Sequence, residues 1–149
     1  MSLKVNLGYC DAPAALNFLL NVLGFQPVVV YTGAHQGIIA HAEIRWPEGG
    51  AVTLHSIEED EVSVYDAVQA MDKKGGYPAF SVHMETSDPD KLYQRAVEEG
   101  AEIIKELDTT SRGRGFIVAD PEGLYWSFGT PLPKLLRNAE GEWQPEDNA

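Results

Sequence analysis

Seven side chains able to move protons, meet anions or hold a metal stand at alternating positions of short apolar–polar stretches. They are His41, Glu43 and Arg45, then His55, then His83 and Glu85, and finally Tyr125. A carboxylate close to an imidazole raises its pKa and prepares it for proton transfer, so His83 with Glu85 is a candidate acid–base pair. Two imidazoles and a carboxylate also suit a divalent metal, which puts His55, His83 and Glu85 forward as a ligand set. No spacing signature supports that set, and the plainer reading is that these groups hydrogen-bond one another or touch a ligand directly. Arg45 with Glu43 could anchor a carboxylate, but pairing across a sheet is the commoner outcome. Arg112-Gly-Arg-Gly115 reads as a lid carrying guanidinium groups over an anion, or more often as a solvated hairpin connection. Cys10 is the single cysteine, which forbids an internal disulfide and a CxxC metal knuckle. With no histidine beside it, it reads as a small buried apolar group rather than a nucleophile.

These groups need elements to position them, and the chain builds the same elements twice. Leu3-Lys-Val-Asn-Leu7 alternates as a half-buried strand does. Asp11 before Ala12-Pro13 predicts an N-cap with proline in the first turn. Leu16, Leu19, Leu20 and Leu23 follow at helical spacing, and Gly24 predicts the stop. Phe80–Met84 alternates in the same way, Ser87-Asp88-Pro89 opens a second helix carrying Leu92, Tyr93, Ala96 and Val97 inward, and Gly100 closes it. Three strand-like stretches come after each helix: Pro27–Tyr31, Ile38–Trp46 and Ala51–Ser56, then Glu102–Leu107, Gly115–Ala119 and Leu124–Gly129. Pro47-Glu-Gly-Gly50 and Asp120-Pro-Glu-Gly123 supply turns, the latter with type I chemistry. Each half therefore reads β-α-β-β-β. A connector of about residues 57–78 holds the acidic run Glu58–Glu61 and a short helix through Val64, Val68 and Met71. The polar tail after Pro133 is expected to be loosely held, with Trp143 folding back on the domain or on a second copy.

Strand periodicity assigns the faces. If Val5, Leu7, Val52, Leu54, Phe80, Val82, Met84, Trp126 and Phe128 pack inward, the opposite face carries Lys4, Asn6, Thr53, His55, Ser81, His83, Glu85, Tyr125 and Ser127. On the remaining strand Ala42, Ile44 and Trp46 go inward and His41, Glu43 and Arg45 outward. Trp46 and Trp126 are read as core.

Composition removes several classes of partner. The formal net charge is −12 over 149 residues, and both halves of the chain are acidic, so nucleic acid and anionic membrane are excluded as expected partners. No apolar run approaches membrane-spanning length and the N-terminus lacks a signal core, which places the chain in the cytoplasm.

In three phrases the chain resembles the vicinal oxygen chelate superfamily, the glyoxalase/bleomycin-resistance/dioxygenase group. These are Leu16-Asn-Phe-Leu-Leu-Asn-Val-Leu-Gly-Phe25, Arg95-Ala-Val-Glu-Glu-Gly-Ala101 and Gly115-Phe-Ile-Val-Ala-Asp-Pro-Glu-Gly-Leu-Tyr-Trp-Ser-Phe128. The resemblance covers about Leu3 to Thr130. It implies an α+β fold of two βαβββ modules, residues 3–56 and 79–130 of one domain spanning 1–133, whose curled mixed sheets enclose a shared cleft. A homodimer commonly completes that cleft.

The superfamily's metal enzymes take one ligand from the first and one from the last strand of each module. Matched phrase to phrase, those positions fall at Lys4 or Asn6, Thr53, Ser81 and Ser127. None is His, Glu or Asp, and neutral hydroxyls are poor ligands for Zn²⁺, Ni²⁺ or Fe²⁺. No cofactor and no metal site is therefore expected, a divalent metal being the minority alternative. The resemblance then implies a bleomycin-resistance-type protein that sequesters a small, cationic or aromatic molecule, with Glu43 and Glu85 as candidate partners of a positive charge. The alternative is an enzyme, a glyoxalase-like lyase, an isomerase or a dioxygenase, with a displaced metal or His83/Glu85 acid–base chemistry. A third reading is a degenerate member with no ligand.

Overall fold

The computed structural model describes residues 3–58, 80–132 and 135–145. The first module runs β1 (Val5–Tyr9), α1 (Ala12–Asn21), β2 (Gln26–Thr32), β3 (Ile39–Arg45) and β4 (Ala51–Ser56). The second repeats the order as β5 (Ser81–Glu85), α2 (Pro89–Glu98), β6 (Glu102–Thr110), β7 (Gly113–Ala119) and β8 (Tyr125–Gly129). Each helix starts where an aspartate can cap it. Asp11 accepts the Ala14 N–H at 3.2 Å and Asp88 the Lys91 N–H at 3.1 Å, with proline following in the first turn of each. Gly24 and Gly100 take positive φ just past the helices, which L side chains resist.

Both sheets have four strands and the same topology, β1-β4-β3-β2 and β5-β8-β7-β6. The first-to-last pairings β1/β4 and β5/β8 are parallel and the rest antiparallel. The sheets are not closed. Together with the two helices they form the α+β arrangement of paired βαβββ modules.

The helix-facing sides of both sheets fuse into one core, because each module's apolar face is too large for its own 10-residue helix to cover. Phe25 is the hinge of this core: its ring centroid lies 5.1 Å from Trp46 of its own module and 5.5 Å from Trp126 of the other. Trp46 reaches Phe128 at 5.5 Å, and Phe128 stacks on Phe116 at 4.9 Å. Two reciprocal polar contacts hold the modules in register. The Glu122 carboxylate accepts the Cys10 and Asp11 N–H groups at the start of α1, at 2.7 and 2.9 Å. Its counterpart in the repeat, Glu48, accepts the Ser87 N–H beside the start of α2 at 2.9 Å.

Several expectations are corrected. Phe80 and Val97 are about half exposed rather than core, since β5 begins one residue later and α2 turns Ala96 inward, as expected, but not the next residue. Cys10 is exposed: it follows the inward Tyr9 on β1, so alternation turns it outward. The tail includes an antiparallel pair, β9 (Leu135–Arg137) with β10 (Trp143–Pro145), and Trp143 pairs with Arg137. The connector helix expected through Val64, Val68 and Met71 lies outside the described residues.

Candidate functional site

The faces expected to turn away from the helices do so. Ala42, Ile44, Leu54 and Trp126 are fully buried, while Glu43, His55, Tyr125 and Ser127, on the opposite sides of the same strands, are half-buried. Register then decides which of those side chains meet. Asn6 stands opposite Thr53 across the β1/β4 pair, and Thr53 Oγ1 donates to Asn6 Oδ1 at 2.9 Å. The equivalent pair in the repeat is His83 opposite Ser127, sharing a 3.0 Å hydrogen bond between Nδ1 and Oγ. Ser81 stands instead opposite Tyr125. The first-to-last-strand positions that the fold itself brings into contact are thus Asn6, Thr53, His83 and Ser127. His83, and not the expected Ser81, therefore stands opposite Ser127.

The other candidates pair locally. Lys4 Nζ donates to Glu43 Oε2 at 2.8 Å, so Glu43 is neutralised by lysine and not by Arg45. Arg45 donates instead to the Gln26 side-chain carbonyl of the neighbouring strand. His41 stacks on Tyr31, with centroids 6.4 Å apart. Glu85 is exposed, and its backbone carbonyl accepts the Trp46 indole N–H at 2.9 Å. The acid–base pair of His83 with Glu85 is not assembled as such, since the imidazole Nδ1 turns to Ser127.

A divalent metal at the four paired positions, Asn6, Thr53, His83 and Ser127, would find one imidazole, one carboxamide and two hydroxyls. That donor set does not fit the imidazole, thiolate and carboxylate preferences of Zn²⁺, Ni²⁺ or Fe²⁺. Among the described residues no three His, Cys, Asp or Glu side chains are grouped so as to hold a metal ion, and this includes His55, His83 and Glu85.

Three cavities of comparable size surround this region. One of about 470 Å³ lies on the helix side between α2 and the Pro47–Glu48 turn. A second of about 450 Å³ separates β5 from the start of β4 and has Phe25, Trp46 and Met84 in its wall with Glu85 at its edge. The third, about 350 Å³, is the concave side of the second sheet, where His83 and Ser127 sit over Gly115 and Gly129. His83 lines both the second and third cavities; Lys4, Asn6, His41, Glu43, Arg45, Thr53 and His55 line none of the three. Gly115 is required here, and Gly129 leaves room for the imidazole. A Cβ on Gly115 would come within 2.1 Å of the Phe128 carbonyl oxygen, and one on Gly129 within 3.3 Å of His83 Cε1.

Two residues of the third cavity escape a period-two reading. Ile103 packs on the core, which by alternation would send Lys105 there too. The β6/β7 register slips between them, so Lys105 pairs with Ile117 on the concave side. A second slip brings Asp108 opposite Gly115 on that same side. Of the Arg112–Gly115 stretch only Arg112 lies in the hairpin turn; Gly113–Gly115 open β7, where Arg114 is pinned. Its guanidinium makes two 2.8 Å bonds to Asp90 of α2 and a third, 3.0 Å, to Thr109.

These features define a fold family. The family model of the Glyoxalase/Bleomycin resistance protein/Dioxygenase superfamily matches residues 3–128, and the chain belongs to that superfamily. An uncharacterised protein of Mycobacterium bovis is 37% identical over 137 residues, 90% of this chain and 86% of the relative. Among solved structures, TioX from Micromonospora sp. ML1 is 28% identical with a TM-score of 0.67, covering 89% of this chain and 99% of TioX. TnmS3 from Streptomyces sp. CB03234, described as an antibiotic binding protein, is 18% identical with a TM-score of 0.58, over 88% and 97% of the two chains. No helix among the described residues is long and apolar enough to cross a membrane.

Proposed function

We propose that the protein binds a small molecule in the cleft lined by the concave faces of its sheets, by sequestration and without a resident metal ion. The observation that carries this reading is the third cavity: a bare glycine floor beneath the His83–Ser127 pair, on the face opposite the core. Its size suits a small ligand, and such sites combine apolar surface with a few placed polar groups. The same fold serves an antibiotic-binding protein, TnmS3, which supports the class of function by analogy only. In this reading the protein works in the cytoplasm, and a second copy of the chain closes the cleft. The exposed Val28, Val30 and Tyr31 of edge strand β2 are apolar surface that such a partner would cover.

The test is to purify the protein without chelator, measure bound metal, and assay turnover of the methylglyoxal–glutathione adduct and of catechol. The expected result is substoichiometric metal and no turnover. Stoichiometric metal that is lost in His83→Ala, or turnover of either substrate, would overturn the reading in favour of an enzyme.

A further inference from the structure

Charge on the concave side of the second sheet runs against the rest of the molecule. The chain has 23 acidic and 11 basic residues, yet its third cavity is lined by Lys105 and Arg112 with a single carboxylate, Asp108. Two register slips deliver Lys105 and Asp108 to this side. Asp108 is partly occupied, because its Oδ1 accepts the Thr109 N–H at 2.7 Å. Arg114 is held by Asp90 and Thr109 and adds no open charge. Among the described residues neither Lys105 nor Arg112 takes part in an ion pair. Between them lies the flat backbone of Gly115 and Gly129, which stand opposite each other and present no side chain, flanked by Ile117 and Leu132.

From this arrangement we propose that the third cavity selects an anionic, planar ligand, an aromatic carboxylate, rather than a cation. The carboxylate meets Lys105 and Arg112, and the ring lies on the glycine floor beside the His83 imidazole. A guanidinium and an ammonium are the donors that make the stronger, charge-assisted hydrogen bonds to such a group. Apart from Asp108, which Lys105 and Arg112 outnumber, the carboxylates that would favour a cation stand elsewhere: Glu43 is paired with Lys4, and Glu85 borders the second cavity. At physiological salt the field of distant acidic groups is screened within about 8 Å, so contacts inside the cavity decide the sign. This inference rests on the cleft being a small-molecule site and adds the charge of its ligand.

Benzoate, benzamide and benzamidine share one ring and differ in charge, so they separate the two claims. Titrated into the full chain and followed by amide chemical shifts, benzoate is expected to bind about tenfold tighter than benzamide, with benzamidine weakest. Lys105→Met with Arg112→Gln, both on exposed positions, is expected to reduce benzoate to the affinity of benzamide, while Lys105→Arg keeps the preference. Benzamidine binding as tightly as benzoate would overturn the inference, as would a benzoate affinity indifferent to the double substitution. If benzamide binds at His83, Ser127 and Gly129 as tightly as benzoate does, the charge preference fails and the cleft reading stands. If none of the three perturbs those residues, both fall.

Discussion

Tyr9→Phe tests the contact that locks the two modules together. Tyr9 ends β1 and is 2% exposed; its hydroxyl donates to Asp120 Oδ2 at 2.6 Å, although 111 positions separate the two in sequence. The same oxygen accepts the Trp126 indole N–H at 3.1 Å, and Oδ1 accepts the Glu122 and Leu124 N–H groups at 3.0 Å each. A buried carboxylate thus takes four donors, three from its own module and one from the other. Removing the hydroxyl leaves the ring in place, so the loss is one hydrogen bond to a charged group, about 2 kcal/mol. For a chain of this length that lowers Tm by roughly 4–8 °C. Burial first, and then the Asp120 charge, push the Tyr9 phenol far above its usual value. The folded state therefore keeps the proton when the unfolded chain begins to lose it. Stability from this group is complete below about pH 10 and falls above it by about 1.4 kcal/mol per pH unit. Phenylalanine cannot titrate, so the gap between wild type and Tyr9→Phe should close within about 1.5 units above pH 10. Urea denaturation from pH 8 to 11.5 reads both quantities. A gap at pH 8 below about 0.5 kcal/mol, or one that does not narrow with alkali, would refute the reasoning.

Phe25→Ala removes the ring between Trp46 and Trp126 and is expected to cost about 3–5 kcal/mol in equilibrium unfolding, with both modules losing structure together. Glu48→Gln addresses acid stability. The Ser87 N–H and then the Thr86 and Ser87 hydroxyls hold the Glu48 carboxyl below its usual pKa. Its contribution is present above about pH 4.3 and lost as pH falls, so the variant should show a shallower loss of stability in acid. Gly129→Ala places a methyl 3.3 Å from His83 Cε1 and should displace the imidazole from Ser127. Binding of small ligands should weaken, while thermal stability changes by less than about 1 kcal/mol, because the hydrogen bond it breaks is solvent-exposed.

The repeat, both aspartate caps and the faces of β1, β3, β4, β5 and β8 were legible because they follow from local chemistry. An aspartate before proline caps a helix wherever it lies, and alternation assigns faces while a strand stays regular. What stayed hidden depends on pairing. Whether Ser81 or His83 lies opposite Ser127 is a matter of parallel register, and no residue on either strand encodes it alone. Lys105 and Asp108 differ by an odd number of positions, so only the slips in β6 put them on one side. Glu43 finding Lys4 rather than Arg45 has the same origin, since β4 lies between β1 and β3 in the sheet order. The resemblance to a superfamily indicated the fold through phrases such as Asp120-Pro-Glu-Gly123, whose turn and buried carboxylate are structural. That turn lines none of the three cavities, which is why it says little about the ligand.

The central claim is a small-molecule site on the concave side of the second sheet that needs no metal. The most direct measurement is an amide chemical-shift map of the full, metal-stripped chain titrated with small aromatic carboxylates. Saturable shifts centred on His83, Gly115, Ser127 and Gly129 are expected, unchanged when Zn²⁺, Ni²⁺ or Fe²⁺ is added back. Shifts that appear only with metal, or that map to the helix-side cavity beside Arg95 and Lys91, would contradict it.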